Sequence, residues 1–246
     1  MRRFWGFLIV PVAIGCTVGC RQDNASRIAA PTDQDSSSTQ MRTQSGTTTT
    51  PNEPAATISR PGDERPLVVC FGDSLTAGYG ADDGQSYPDF LQKDLDHAGY
   101  RYRVVNEGIS GNTTKDGVDR LSDVIDLHPA VVVLEFGGND GLRGLKIQTT
   151  RTNLSTMITG LQHASIKVVI AGITLPPDYG PDYVNSFTNN YPTLAKKYNV
   201  PVMPFLLKDV YGVDGLMQAD NMHATNKGNE IVARNVLPFV APLLKR

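Results

Sequence analysis

From Pro66 to Arg246 the chain changes pattern every dozen or so residues, and this alternation narrows the fold more than any other feature. Leu67–Phe71, Arg103–Asn106, Ala130–Phe136, Lys167–Ala171 and Pro201–Phe205 are short, mostly β-branched apolar runs, as expected of strands covered on both faces. Between them, Tyr87–Ala98, Lys115–Leu127, Thr152–His163 and Asn185–Tyr198 carry apolar residues at helical spacing, and Thr225–Leu244 closes the chain in the same way. Strands alternating with helices predict an α/β fold, a parallel sheet wrapped on both sides. A domain of about 180 residues buries roughly 70% of its unfolded surface, enough to stand without cross-links.

The first twenty residues follow a different rule. Arg2 and Arg3 precede an apolar run from Phe4 to Val18, then Gly19 and Cys20. Residues 1–19 are therefore expected to be a secretory signal peptide, the run being short for a membrane span, which needs about 20 apolar residues. Thr17-Val18-Gly19-Cys20 resembles a bacterial lipoprotein cleavage box, with Thr17 where such boxes usually carry Leu. On that resemblance Cys20 is lipidated and the protein is an exported, membrane-anchored lipoprotein on the periplasmic side of a bacterial envelope. A plain signal peptide or a retained anchor are the alternatives. Residues 20–65 are rich in Ser, Thr, Gln, Pro and Asp and cannot bury enough apolar surface to offset the entropy of ordering, so a disordered tether is expected there. As a random coil it would hold the following domain roughly 35 to 40 Å from Cys20.

The domain itself begins at residue 66 and contains a single cysteine, Cys70, so no disulfide can form within it. The net charge is −2, with basic and acidic residues interspersed. No basic stripe announces nucleic acid, and a neutral or apolar small molecule fits better.

In an open parallel sheet, ligands bind beyond the carboxyl ends of the strands, and the polar residues of this chain collect there. The first apolar run leads into Gly72-Asp73-Ser74-Leu75-Thr76, the second into Glu107-Gly108-Ile109-Ser110-Gly111-Asn112, the third into Gly137-Gly138-Asn139-Asp140, and Asp220-Asn221-Met222-His223 precedes the last helix. Acyl transfer requires a hydroxyl, an imidazole to take its proton, a carboxylate to orient the imidazole and donors for the oxyanion. Ser74, His223 and Asp220 are candidates for the first three. Gly111 can bring a backbone N–H close because it has no side chain, and Asn139 carries an amide that donates. Taken singly, each motif has a plainer reading: a serine in a glycine-rich turn, an Asn after glycines, an Asp-x-x-His cap. His97, His128 and His163 read as surface residues.

The four segments together, in this order, resemble the blocks of the SGNH (GDSL) hydrolases, and the likeness covers nearly all of Pro66–Arg246. Thr174-Leu175-Pro176-Pro177-Asp178-Tyr179-Gly180 and Val200-Pro201-Val202-Met203-Pro204-Phe205 extend it toward the small monomeric members, arylesterases and multifunctional thioesterases/lysophospholipases. The resemblance implies a flavodoxin-like five-stranded sheet between two helical layers and an acyl-enzyme mechanism on an ester or thioester substrate without metal or cofactor. It further implies catalytic Ser74, Asp220 and His223, and an oxyanion hole from the N–H groups of Ser74 and Gly111 and the side chain of Asn139. Ala224 stands where relatives often carry Pro, and the signal and tether are departures that weaken the acyl-CoA reading. Ser74 lacks the glycine two residues on that marks the Gly-x-Ser-x-Gly elbow. Two other functions fit part of the pattern: a carbohydrate O-deacetylase of the same family, and a phosphate-binding module using only the loop after the first strand. Thr174–Pro192, longer than a usual connection, is expected either to cover an acyl chain or to be a surface loop.

Overall fold

The computed structural model of the chain describes residues 63–246, so the expected signal peptide, Cys20 and nearly all of the expected tether lie outside the described residues. In chain order the elements are β1 (Leu67–Gly72), α1 (Ser74–Ala77), α2 (Tyr87–His97), β2 (Arg103–Gly108), α3 (Thr114–Asp119), α4 (Leu121–Asp126) and β3 (Val131–Glu135). Then follow α5 (Gly138–Leu142), α6 (Ile147–His163), β4 (Lys167–Ala171), α7 (Pro181–Thr188), α8 (Asn190–Tyr198), β5 (Val202–Met203) and α9 (Asn226–Val240). The strands form one parallel sheet in the order β2-β1-β3-β4-β5, the flavodoxin-like arrangement implied by the resemblance. Strands β1, β3 and β4 supply the centre of the core, with Val68 to Phe71, Val131 to Leu134 and Val168 to Ala171 all buried. Helices α2 and α9 pair on one face, while α3, α6 and α8 pack together on the other. Because β1 is followed to one side by β2 and to the other by β3, the loops after β1 and β3 part above it and leave a crevice.

The helix expected from Thr152 begins five residues earlier, at Ile147, and four other expected elements differ in extent, each for a local reason. The helix expected over Lys115–Leu127 is two, α3 and α4, broken at Arg120. The Arg120 guanidinium turns inward, donating to the Gly72 carbonyl and to Asn112 Oδ1 at 2.8 Å each and lying 4.4 Å from the Phe71 ring centroid. The helix expected over Asn185–Tyr198 starts earlier and is likewise two, α7 and α8, because Pro192 has no N–H for the carbonyl of residue 188. Pro242 similarly ends α9 at Val240, with a 3-10 turn after it. The fifth strand shrinks to Val202–Met203 between Pro201 and Pro204, as an edge strand does. His97, His128 and His163 are exposed, as expected.

Glycine is required where β2 ends, because a Cβ on Gly108 would sit 2.1 Å from the Ala77 amide nitrogen and 2.6 Å from the Thr76 carbonyl carbon. That backbone belongs to the turn bearing Ser74 and cannot swing aside. Gly108→Ala is expected to destabilise the domain by about 2 kcal/mol or more, read as a drop of roughly 4 °C or more in thermal midpoint; an unchanged midpoint would show the turn to be softer than its packing implies.

Candidate active site

Ser74 is the first residue of α1. Asp73 caps this one-turn helix, its Oδ1 accepting from the Leu75 N–H at 3.1 Å. The Ser74 Oγ thus rises at the carboxyl end of β1, 2.8 Å from His223 Nε2, and His223 Nδ1 lies 2.6 Å from Asp220 Oδ2. The other oxygen of Asp220 accepts from the N–H groups of Met222 and His223 at 2.9 and 3.1 Å, so the carboxylate is built into the turn that carries the ring. Partial burial works to raise the Asp220 carboxyl, but the His223 ring and these N–H groups outweigh it and hold it below the usual carboxylate range.

The His223 turn is tied down from both sides. The Gln218 N–H donates to the His223 carbonyl at 2.8 Å, and the Gln218 side chain donates to the carbonyls of Ala224 and Tyr79 at 2.9 and 2.7 Å. The second of those bonds fastens the turn to the segment just after α1, and the Tyr79 ring lies 4.7 Å from the imidazole, centroid to centroid.

Asn139 enters from α5. The preceding Gly137 has φ 122° and a Cβ there would meet Tyr191 Oη at 2.6 Å, so only glycine lets the chain pass from β3 into α5 beneath that ring. Asn139 Nδ2 donates to Asp73 Oδ2 at 3.2 Å and to the Asn112 carbonyl at 3.0 Å. Both amide protons therefore have acceptors already, and any oxyanion must share one of them with the Asn112 carbonyl. Gly111 stands in the loop after β2, its carbonyl accepting from Arg143 Nη2 at 3.0 Å. Among the described residues the N–H groups of Ser74 and Gly111 have no acceptor. Asp140, next to Asn139, accepts from the Thr114 N–H at 2.8 Å and from both Thr114 and Thr150 hydroxyls, locking the β2 and β3 loops together.

A cavity of about 140 Å³, open to solvent, begins at Ser74 and His223 and is lined chiefly by apolar side chains, among them Leu75, Leu142, Ile173, Leu175, Phe205 and Met222. The segment expected to cover an acyl chain contributes Thr174, Leu175 and Pro176 to that lining; beyond Pro176 it becomes a 3-10 turn and then α7 rather than an irregular loop. Cys70 is buried in β1, and burial pushes its thiol up to about 12, which removes it as a nucleophile.

The structure thus brings Ser74, His223, Asp220 and Asn139 together, with Gly111 on the adjoining loop. Sequence reading did not single out Arg120, Gln218, Tyr79 or Glu135. Only Glu135 carried a signal, a carboxylate at the end of an otherwise apolar strand.

Comparison with known proteins agrees with this geometry. Residues 70–231 match the family model described as the GDSL-like lipase/acylhydrolase family. The chain is 42% identical to esterase TesA of Pseudomonas aeruginosa over 178 residues, which is 72% of this chain and 89% of that one. It is 34% identical to thioesterase 1/protease 1/lysophospholipase L1 of Escherichia coli, again over 72% of this chain and 84% of the other. A crystal structure of TesA superposes with a TM-score of 0.70 at 41% identity, covering 72% of this chain and 99% of that structure. A fold, an order of site residues and an extent of identity that all coincide leave one conclusion: the chain belongs to the GDSL-like lipase/acylhydrolase family, the SGNH hydrolases.

Proposed function

We propose that the protein is a serine hydrolase for carboxylic esters carrying apolar acyl groups, working through an acyl-enzyme on Ser74. The observation that carries this reading is the unbroken relay from Asp220 to His223 to Ser74, at 2.6 and 2.8 Å, opening onto an apolar cavity beside the Asn139 amide. His223 Nε2 takes the Ser74 proton as Oγ bonds to the acyl carbon, and gives that proton to the departing alcohol or thiol when the tetrahedral intermediate collapses. Water then enters, loses a proton to the same nitrogen and releases the acid, returning the proton to Ser74. Asp220 stays ionised, holding Nδ1–H and so the tautomer that leaves Nε2 free. The N–H groups of Ser74 and Gly111 and the Asn139 amide receive the negative oxygen, the last by sharing the proton now given to Asn112.

Asn139→Ala is expected to lower kcat about a hundredfold with little change in KM, since that donor acts only once charge develops on the oxygen. A parent-like kcat would remove Asn139 from the oxyanion site.

The lining of the cavity favours acyl chains longer than acetyl. Each methylene it buries is worth about 0.8 kcal/mol, roughly a fourfold gain, so kcat/KM on p-nitrophenyl esters should climb from acetate to the medium chains before levelling off. Faster turnover of acetylated xylan than of p-nitrophenyl octanoate would favour the carbohydrate O-deacetylase instead. A phosphate-binding module leaves the relay without a task, and a serine-reactive fluorophosphonate would not label it.

The Arg2-Arg3 start, the apolar run to Val18 and the Gly19-Cys20 pair support export and lipidation at Cys20. This places the enzyme at the envelope, among lysophospholipids and other esters rather than cytoplasmic acyl-CoA. Palmitate labelling that disappears in Cys20→Ser is the expected result; absence of label in the parent refutes it.

A further inference from the structure

Glu135 is the last residue of β3 and is completely buried, yet the reaction as derived above gives it no part. Its Oε2 accepts from the Asp73 N–H at 3.1 Å and from the Thr76 hydroxyl at 2.8 Å, while Oε1 has no donor among the described residues. Thr76 in turn lies 3.2 Å from Tyr87 Oη, so the contact is enclosed by buried side chains on every side. Asp73, itself buried, gives its N–H to Glu135 and holds the Asn139 amide with its carboxylate. Glu135 thus grips, beneath the nucleophile, the main chain of the residue that holds an oxyanion donor.

We propose that Glu135 is a positioning residue for the ester chemistry: by clamping the main chain of Asp73, it sets through Asp73 the direction in which the Asn139 amide points. This rests on the reading of Asn139 given above. The electrostatics agree with it. Burial, and then the adjacent Asp73 carboxyl, raise Glu135 well above the usual carboxylate range, favouring its neutral form. Burial also pushes Asp73 up to about 6, against the opposing pull of the Leu75 N–H, Glu135, His223 and Asn139. Asp73 is ionised above that pH, its carboxylate held by the Leu75 N–H and by the Asn139 amide. Without Glu135, the buried Asp73 N–H has lost its acceptor and the turn is free to shift, taking the Asp73 carboxylate and the Asn139 amide with it.

A double-mutant cycle on the full-length protein separates positioning from mere support of the fold. Glu135→Gln retains an oxygen for the Asp73 N–H and the Thr76 hydroxyl, and should keep kcat within about threefold of the parent. Glu135→Val removes the clamp and should lower kcat at least tenfold on p-nitrophenyl butyrate with KM unchanged. In the Asn139→Ala background the same Val substitution should cost less than threefold, because the amide it misdirects is gone. Glu135→Asp, which withdraws the acid by one carbon, serves in the same cycle if the Val protein does not fold. Losses that simply multiply across the two sites overturn the proposal, as does a Gln variant as impaired as the Val or Asp one. A harmless Asn139→Ala would instead defeat the oxyanion reading, an outcome distinct from failure of the Glu135 coupling.

Discussion

Ser74→Ala is expected to lower kcat on the order of 10⁵- to 10⁶-fold, because nucleophile and base act as a unit and the loss of either forfeits nearly the whole of their contribution. The protein should remain folded. Among the described residues the Ser74 hydroxyl bonds only to the His223 ring, and the cap that holds α1 comes from Asp73, which the substitution leaves in place. Turnover of p-nitrophenyl butyrate and labelling by a fluorophosphonate should vanish together while the thermal midpoint stays near that of the parent. A variant that still hydrolysed the ester at a tenth of the parent rate would show that the aligned relay is not the route of the reaction.

The largest effect expected on stability is a gain, and it grows with pH. The Glu135 carboxyl is raised well above the usual carboxylate range in the folded protein, chiefly by burial and then by Asp73, whereas in the unfolded chain it ionises at the ordinary carboxyl value. A group whose folded pKa is raised contributes stability below its unfolded pKa and loses it as pH rises toward the folded value. The parent therefore forfeits up to about 1.4 kcal/mol per pH unit above the ordinary carboxyl range on account of this one residue. Glu135→Gln has no proton to forfeit. Its stability advantage in urea unfolding should be near zero around pH 4 and widen steadily as pH rises above the ordinary carboxyl value. Asp73, raised to about 6, loses its own share between pH 4 and 6 in both proteins and largely cancels in the difference. Parallel pH curves for the two proteins would mean that Glu135 is ionised in the fold.

The elements most legible in the sequence were those whose reason lies in local pattern. β1, β3 and β4 are continuous apolar runs buried on both faces, which no amphipathic helix mimics. The residues of the relay were legible because each stands directly after a strand or before a helix, where side chains of a parallel sheet converge. What escaped was set by contacts distant in the chain. Nothing near Arg120 signals that its guanidinium will leave the surface to bond the Gly72 carbonyl, 48 residues away, and break a helix in doing so. Gln218 is an ordinary polar residue until its amide is seen holding Tyr79 and Ala224 at once. The short helices α1 and α5, of four and five residues, are too brief for a 3.6-residue period to register, although they carry Ser74 and Asn139.

The two ends of the domain meet at Tyr100–Tyr102, the turn that enters β2. Arg65 donates to the Tyr102 carbonyl at 3.2 Å, the Lys245 N–H donates to the Tyr102 hydroxyl at 3.0 Å, and the Arg246 guanidinium lies 5.5 Å from the Tyr100 ring centroid. That turn lies at the amino ends of the strands, and Ser74 lies past their carboxyl ends. Within the described residues, the chain therefore enters and leaves the domain on the side opposite the catalytic mouth. A circular permutant that splices residue 246 to residue 65 and opens the chain in the exposed Asp82–Gly84 bend would leave every contact of the relay on the same side of the molecule as before.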